Sequence, residues 1–191
     1  MTRRVRPVAA FVALALLAAG CSSSPEPAYY TLAASPGAPR AGGPRLVELR
    51  QPSIAGYLDR SELVRRDTGY KLDIRPGERW GEPFAAMVGR VLADDLNQRM
   101  PGATVFTAQG SLNPDPQATI DLDVLRFDLG SDGTVVLHAQ VAVTRHGGAA
   151  QTRTIEVQVK PASGTTADLV AAMSRAAGQL ADGVAGMLRA S

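Results

Sequence analysis

The chain has 191 residues, 45% of them hydrophobic, with 20 Lys+Arg, 18 Asp+Glu and one cysteine. Three arginines (Arg3, Arg4, Arg6) fall before residue 20, so the remainder carries 17 basic against 18 acidic residues. That balance, without a basic patch, excludes nucleic acid as a partner; one cysteine excludes an internal disulfide.

The first twenty residues have three parts: the basic start, an uncharged run from Val8 to Ala19, and small residues up to Gly20. These are the parts of a secretory signal. The apolar run is about half the roughly 20 residues that span a bilayer, which argues against a permanent transmembrane helix. Leu17-Ala18-Ala19-Gly20-Cys21 resembles a bacterial lipobox, although Ala18 stands where that pattern prefers leucine. In such a sequence Cys21 becomes the first mature residue and carries lipid on its sulfur and amine. The alternative is a plain signal peptide with a leftover thiol. Ser22, instead of Asp, follows the cysteine and points to the outer membrane.

Residues 1–20 are thus expected to be a lipoprotein signal, 21–44 an acylated flexible tether, and 45–191 one periplasmic domain. The tether composition (Ser22-Ser23-Ser24-Pro25, then Ser35-Pro36-Gly37 to Gly42-Gly43-Pro44) offers no face to bury. Extended, it reaches about 80 Å at roughly 3.5 Å per residue; as a coil it averages about 25 Å. Within it, Ala28-Tyr29-Tyr30-Thr31-Leu32 is β-prone and aromatic, and either docks as an added edge strand, the favoured reading, or sits near the membrane surface.

Leu46 to Arg50 reads as a short strand, stopped by Pro52, and Gly56-Tyr57-Leu58-Asp59-Arg60 as a turn or shaped loop. Leu63–Arg66 and Tyr70–Ile74 flank Asp67-Thr68-Gly69 as a hairpin. Phe84, Met87, Val88, Val91, Leu92 and Leu96 recur at helical spacing between Glu82 and Met100, with Pro83 in the first turn and Pro101-Gly102 at the end. Ala103 to Thr107 is a strand.

From Ala118 a three-strand meander begins. Ile120, Leu122 and Val124 alternate with Asp121 and Asp123, and then the phase flips to Leu125, Phe127 and Leu129. Such a flip predicts a β-bulge near Val124-Leu125. Val135 to Val143 and Ile155 to Val159 supply the other two strands. Thr165-Thr166-Ala167-Asp168 opens a last helix with a capping-box-like pattern, and its stripe runs from Leu169 through Leu180 to Leu188. Two amphipathic helices on one face of a mixed, mostly antiparallel sheet make a two-layer α/β sandwich of the α+β kind.

Catalytic chemistry finds no support. His138 and His146 lack a companion at metal-ligand spacing, and neither a nucleophile elbow nor a phosphate loop is present. Asp121 with Asp123, and the pair Asp94-Asp95, read as solvated faces. The expectation is a protein that is not an enzyme, with no metal and no cofactor.

Tyr29-Tyr30-Thr31-Leu32 after a lipobox, Gly56-Tyr57-Leu58-Asp59-Arg60, and Arg79-Trp80-Gly81-Glu82-Pro83-Phe84 opening a helix together resemble the ABC-type transport auxiliary lipoprotein (PqiC-like) family. The resemblance implies a noncatalytic component anchored in the outer membrane, serving an intermembrane lipid transport system and membrane integrity. Its partner would be a periplasmic protein with mammalian-cell-entry (MCE) domains, and the component itself a ring-like homo-oligomer. Tyr57, Leu58, Asp59 and Arg60 are candidate partner contacts, being aromatic and charged residues in an expected loop. Trp80 is either a staple for the helix start or a further contact. The competing reading is a periplasmic lipid-binding carrier with its own apolar cavity.

Overall fold

The computed structural model describes residues 26–68, 70–108 and 114–190. Cys21 and Ser22, with the whole signal sequence, lie outside the described residues, as does Gly69 of the expected hairpin turn. Nine strands and two helices follow in the order β1 (Ala28–Tyr30), β2 (Leu46–Leu49), β3 (Ser53–Ile54), β4 (Glu62–Arg66), β5 (Leu72–Trp80), α1 (Phe84–Arg99), β6 (Thr104–Thr107), β7 (Ala118–Leu129), β8 (Val135–Arg145), β9 (Gln151–Val159) and α2 (Thr166–Arg189).

β7 is the spine of the sheet because its twelve residues, alternating in period two from Ala118 to Val124 and continuing past a bulge to Phe127, give it one long buried face. Along one side it pairs antiparallel with β8, and β8 with β9. Along the other side it is shared by three short parallel partners in turn. Ala118–Ile120 take β2, Asp123–Val124 take β3, and Leu129 meets Arg65 of β4. Outside β2 lies β6, parallel; outside β4 lies β5, antiparallel; and β1 closes that edge, parallel to β5. The sheet is therefore mixed, its long ladders antiparallel and its short ones parallel. The bulge falls between Val124 and Arg126. Leu125 is the extra, unpaired residue and stands out in solvent, so it leaves the apolar set to which its phase assigned it.

Both helices cover one face. α1 presents Phe84, Met87, Val88, Val91, Leu92 and Leu96 inward. α2 starts at Thr165, whose side chain accepts the Asp168 N–H at 3.2 Å, and packs on α1, β8 and β9. The core is continuous from Val47 and Leu49 through Phe127 and Leu137 to Leu180 and Leu188. No helix among the described residues is long and apolar enough to cross a membrane.

Two expectations need correcting. β5 does not stop at Ile74: it continues through the exposed Arg75-Pro76-Gly77 to Trp80, because β1 pairs with its far end. And beyond residues 28–32, where β1 is the expected edge strand, the remaining expected tether is also laid on the domain. After β1, Leu32 is 1% exposed, and its N–H lies 3.2 Å from Met87 Sδ. Ala33 N–H donates to Ser174 Oγ, Ser35 N–H to Asp95 Oδ1 at 2.7 Å, and Arg40 N–H to the Arg99 carbonyl at 2.7 Å. The strap runs along the seam between α1 and α2.

A depression beside the Tyr57 turn

β3 and β4 are joined by a tight turn in which Leu58 N–H donates to the Ala55 carbonyl at 2.8 Å and Arg60 N–H to the Leu58 carbonyl at 2.9 Å. This geometry separates the five candidate contacts into inner and outer residues. Leu58 is buried in the core. Tyr57 is half-buried, its phenol donating to Asp128 Oδ2 at 2.7 Å while the Arg66 guanidinium sits 5.3 Å over its ring. Asp128, fully enclosed, also accepts from Arg66 Nε at 3.0 Å and Arg126 Nε at 2.8 Å. Burial, then the hydrogen bond to Asp128, pushes the Tyr57 phenol up to about 12. The bond with Tyr57 raises Arg66 further. Tyr57 therefore braces the turn and is not the exposed anchor its loop position suggested.

Trp80 is likewise inside, 6% exposed. Its ring stacks on Phe84 with centroids 5.0 Å apart, and Phe84 in turn meets Phe127 at 5.7 Å. The backbone N–H of Trp80 donates to the Ser61 carbonyl at 2.7 Å. This packing is that of a staple fixing the start of α1 to the sheet.

Asp59 and Arg60 remain outside. Both are exposed, and their side chains make no hydrogen bond or ion pair with the described residues. They form the rim of a depression of about 390 Å³, with Ser61, Glu82 and the exposed Pro83 beside them and the buried Trp80 and Phe84 beneath. The structure thus brings Asp59, Arg60 and Trp80 to one place and sets Tyr57 and Leu58 beneath it. A larger depression, about 610 Å³, runs along the uncovered sheet face past Ser53, Asp121, Asp123 and Gln140. Arg50 binds Asp121 there at 3.0 Å, in keeping with a solvated polar face.

Among the described residues, no three His, Cys, Asp or Glu side chains could hold a metal. His138 faces Arg126 and Glu156 across neighbouring strands, and His146 lies in a turn. The arrangement around Asp59 and Arg60 suits noncovalent recognition: an aromatic floor under two free charges.

Sequence reasoning missed the polar centre of the helical layer. Asp94 is exposed, but Asp95 is fully buried, correcting the reading of both as helix surface. Arg99, also buried, donates to Asp95 Oδ1 at 3.3 Å, Asp182 Oδ1 at 2.8 Å and the Ser35 carbonyl at 3.0 Å. Burial is the main reason the Asp95 carboxyl is pushed up to about 6. The available signal was the i,i+4 spacing of Asp95 and Arg99 on a stripe otherwise apolar.

The fold is shared with two solved structures. One, an uncharacterised protein, has 20% identity and a TM-score of 0.72, covering 85% of this chain and 98% of that one. The other, a protein from Xanthomonas campestris, has 18% identity and a TM-score of 0.70, covering 85% and 95%. No curated protein matches the chain significantly. The family comparison is decisive, since residues 30–185 match one family throughout, from β1 nearly to the end of α2. The chain belongs to the ABC-type transport auxiliary lipoprotein component family.

Proposed function

We propose that this auxiliary lipoprotein is held in the outer membrane by acylated Cys21 and docks an elongated MCE-type protein of an intermembrane lipid transport system. Docking, not turnover, is its work, and it helps maintain membrane integrity. The observation that carries this reading is the pair Asp59–Arg60: two charges without internal partners over a floor of Trp80 and Phe84. Charges left exposed and unpaired above an aromatic floor are what a partner's complementary groups satisfy. The protein acts as a homo-oligomer, which multiplies weak contacts into a firm attachment.

The test is Asp59→Ala with Arg60→Ala. Neither side chain supports the fold, so the melting temperature should stay within about a degree while co-purification with the MCE-type partner is lost; hot-spot truncations cost roughly 2 kcal/mol or more. Retained binding would move the interface elsewhere. The carrier reading is separated by lipid mass spectrometry on the purified protein, where stoichiometric phospholipid would favour it.

A further inference from the structure

We propose that residues 31–43 are a clamp which holds the β1 edge of the domain close to the membrane surface. The occupant of that edge is the leaflet carrying the anchor, and the inference rests on acylation of Cys21. The chain first meets the domain at β1. β1 pairs with β5 in register, Ala28 opposite Glu78 and Tyr30 opposite Trp80. Every few residues beyond it there is another attachment: Leu32 in the core, Ser35 on Asp95 and Arg99, Arg40 on the Arg99 carbonyl. Seven steps of chain, from Cys21 to Ala28, are all that separate the anchor from the sheet. Whatever their conformation, they reach at most about 25 Å at roughly 3.5 Å per residue.

The seam is built to receive the strap. A β-carbon at Gly178 of α2 would stand 2.7 Å from Ser35 Cβ, and one at Gly37 would overlap the Arg99 guanidinium. Glycine at both positions lets backbone approach what a side chain would push away. The Ser-Pro-Gly composition of the strap thus serves close contact. Beside β1 the exposed surface comprises Tyr29, 64% exposed, and the Arg75–Gly77 stretch of β5. Arg75 is paired with Asp73 at 3.1 Å, and the length of the chain confines this edge whatever the charge of the lipid. A released strap that carries β1 off β5 with it would lengthen the tether from seven steps to 24, counted from Cys21 to Arg45. As coils these average about 15 Å and about 27 Å, by the square-root rule.

Trp80, the single tryptophan, lies on β5 opposite Tyr30 and serves as the probe. The mature chain is coupled through the Cys21 thiol to a maleimide-headgroup lipid in phosphatidylcholine vesicles that contain dansyl-headgroup lipid. Energy transfer from Trp80 is then measured. Attaching the anchor chemically makes the outcome independent of whether cells acylate Cys21. The wild type should transfer efficiently, with no loss in high salt, and Gly178→Leu, which fills the strap's seat, should reduce transfer at least twofold. Equal transfer in the two folded proteins would overturn the clamp. Amide exchange on the wild type supplies a second measurement that needs no variant. Protection of Ser35 and Arg40 at least a hundredfold over a free peptide is expected, and free-peptide rates there would likewise overturn it.

Discussion

The Tyr57 phenol donates to Asp128 Oδ2 at 2.7 Å, and this one bond ties the turn after β3 to the end of the β7 spine. Asp128 keeps Arg66 and Arg126 when the phenol is removed. Tyr57→Phe should therefore cost only about 1–2 kcal/mol, lowering the melting temperature by about 2–8 °C for a domain of this size. Because the ring stays beneath Arg66, partner binding through Asp59 and Arg60 should persist. A larger loss of stability, or loss of binding, would show that the phenol does more than brace.

The same bond makes the fold sensitive to alkali. Folded Tyr57 holds its proton to about 12 against an ordinary value of 10.0. The folded state binds that proton more tightly, so its contribution is complete below pH 10 and is lost as pH rises toward 12. Urea unfolding of the wild type should weaken across that interval, and Tyr57→Phe should remove that part of the slope.

Asp95 works in the acid range with the same sign. Its carboxyl rises from 3.8 to about 6, so folding favours the protonated form. Stability from this group is present below about pH 4 and falls as pH climbs through 6. Asp95→Asn keeps an oxygen for the Ser35 N–H and no longer titrates; Arg99 retains Asp182. The variant should therefore gain on the wild type between pH 4 and pH 7, by about 3 kcal/mol at most. Paired denaturant titrations at pH 4.5 and pH 7.5 measure the difference. An unchanged gap between the proteins would mean that Arg99 cancels the cost of burial.

What the sequence made legible was whatever repeats. The stripe from Phe84 to Leu96 and the alternation of β7 up to Val124 and of β8 each have several residues voting for one face, and burial follows them. The phase flip marked the bulge, although of its three apolar residues only Phe127 is buried. What it hid was single-residue approach. Ser35-Pro36-Gly37 has the composition of a free linker, yet it is a packed strap, because composition does not distinguish glycine chosen for freedom from glycine chosen for contact. Arg75-Pro76-Gly77 looks like the end of a strand, but β5 passes through it to reach β1. At the candidate site, residue type singled out Asp59, Arg60 and Trp80, which the fold brings to one depression. It could not tell which side chains face outward, since Asp128, the partner that draws Tyr57 inward, is 71 residues away.

Gly178, Gly183 and Gly186 look alike in sequence, each a weak point in α2 by propensity, and the fold sets them apart. A β-carbon at Gly186 meets nothing within 4 Å, so Gly186→Ala should add about 0.5–1 kcal/mol, from helix propensity and from a less flexible unfolded chain. At Gly183 the new carbon would stand 2.8 Å from Ile155 Cδ1, the far end of a side chain that can turn aside, and Gly183→Ala should be close to neutral. At Gly178 it would press on Ser35 Cβ and the Arg99 guanidinium. There the propensity gain is offset by a displaced strap, and faster amide exchange at Ser35 should accompany Gly178→Ala alone. Thermal melts of the three proteins give the order: Gly186→Ala above wild type, Gly183→Ala beside it and Gly178→Ala below. A rise for Gly178→Ala equal to that for Gly186→Ala, with Ser35 still protected, would mean that the seam yields without cost.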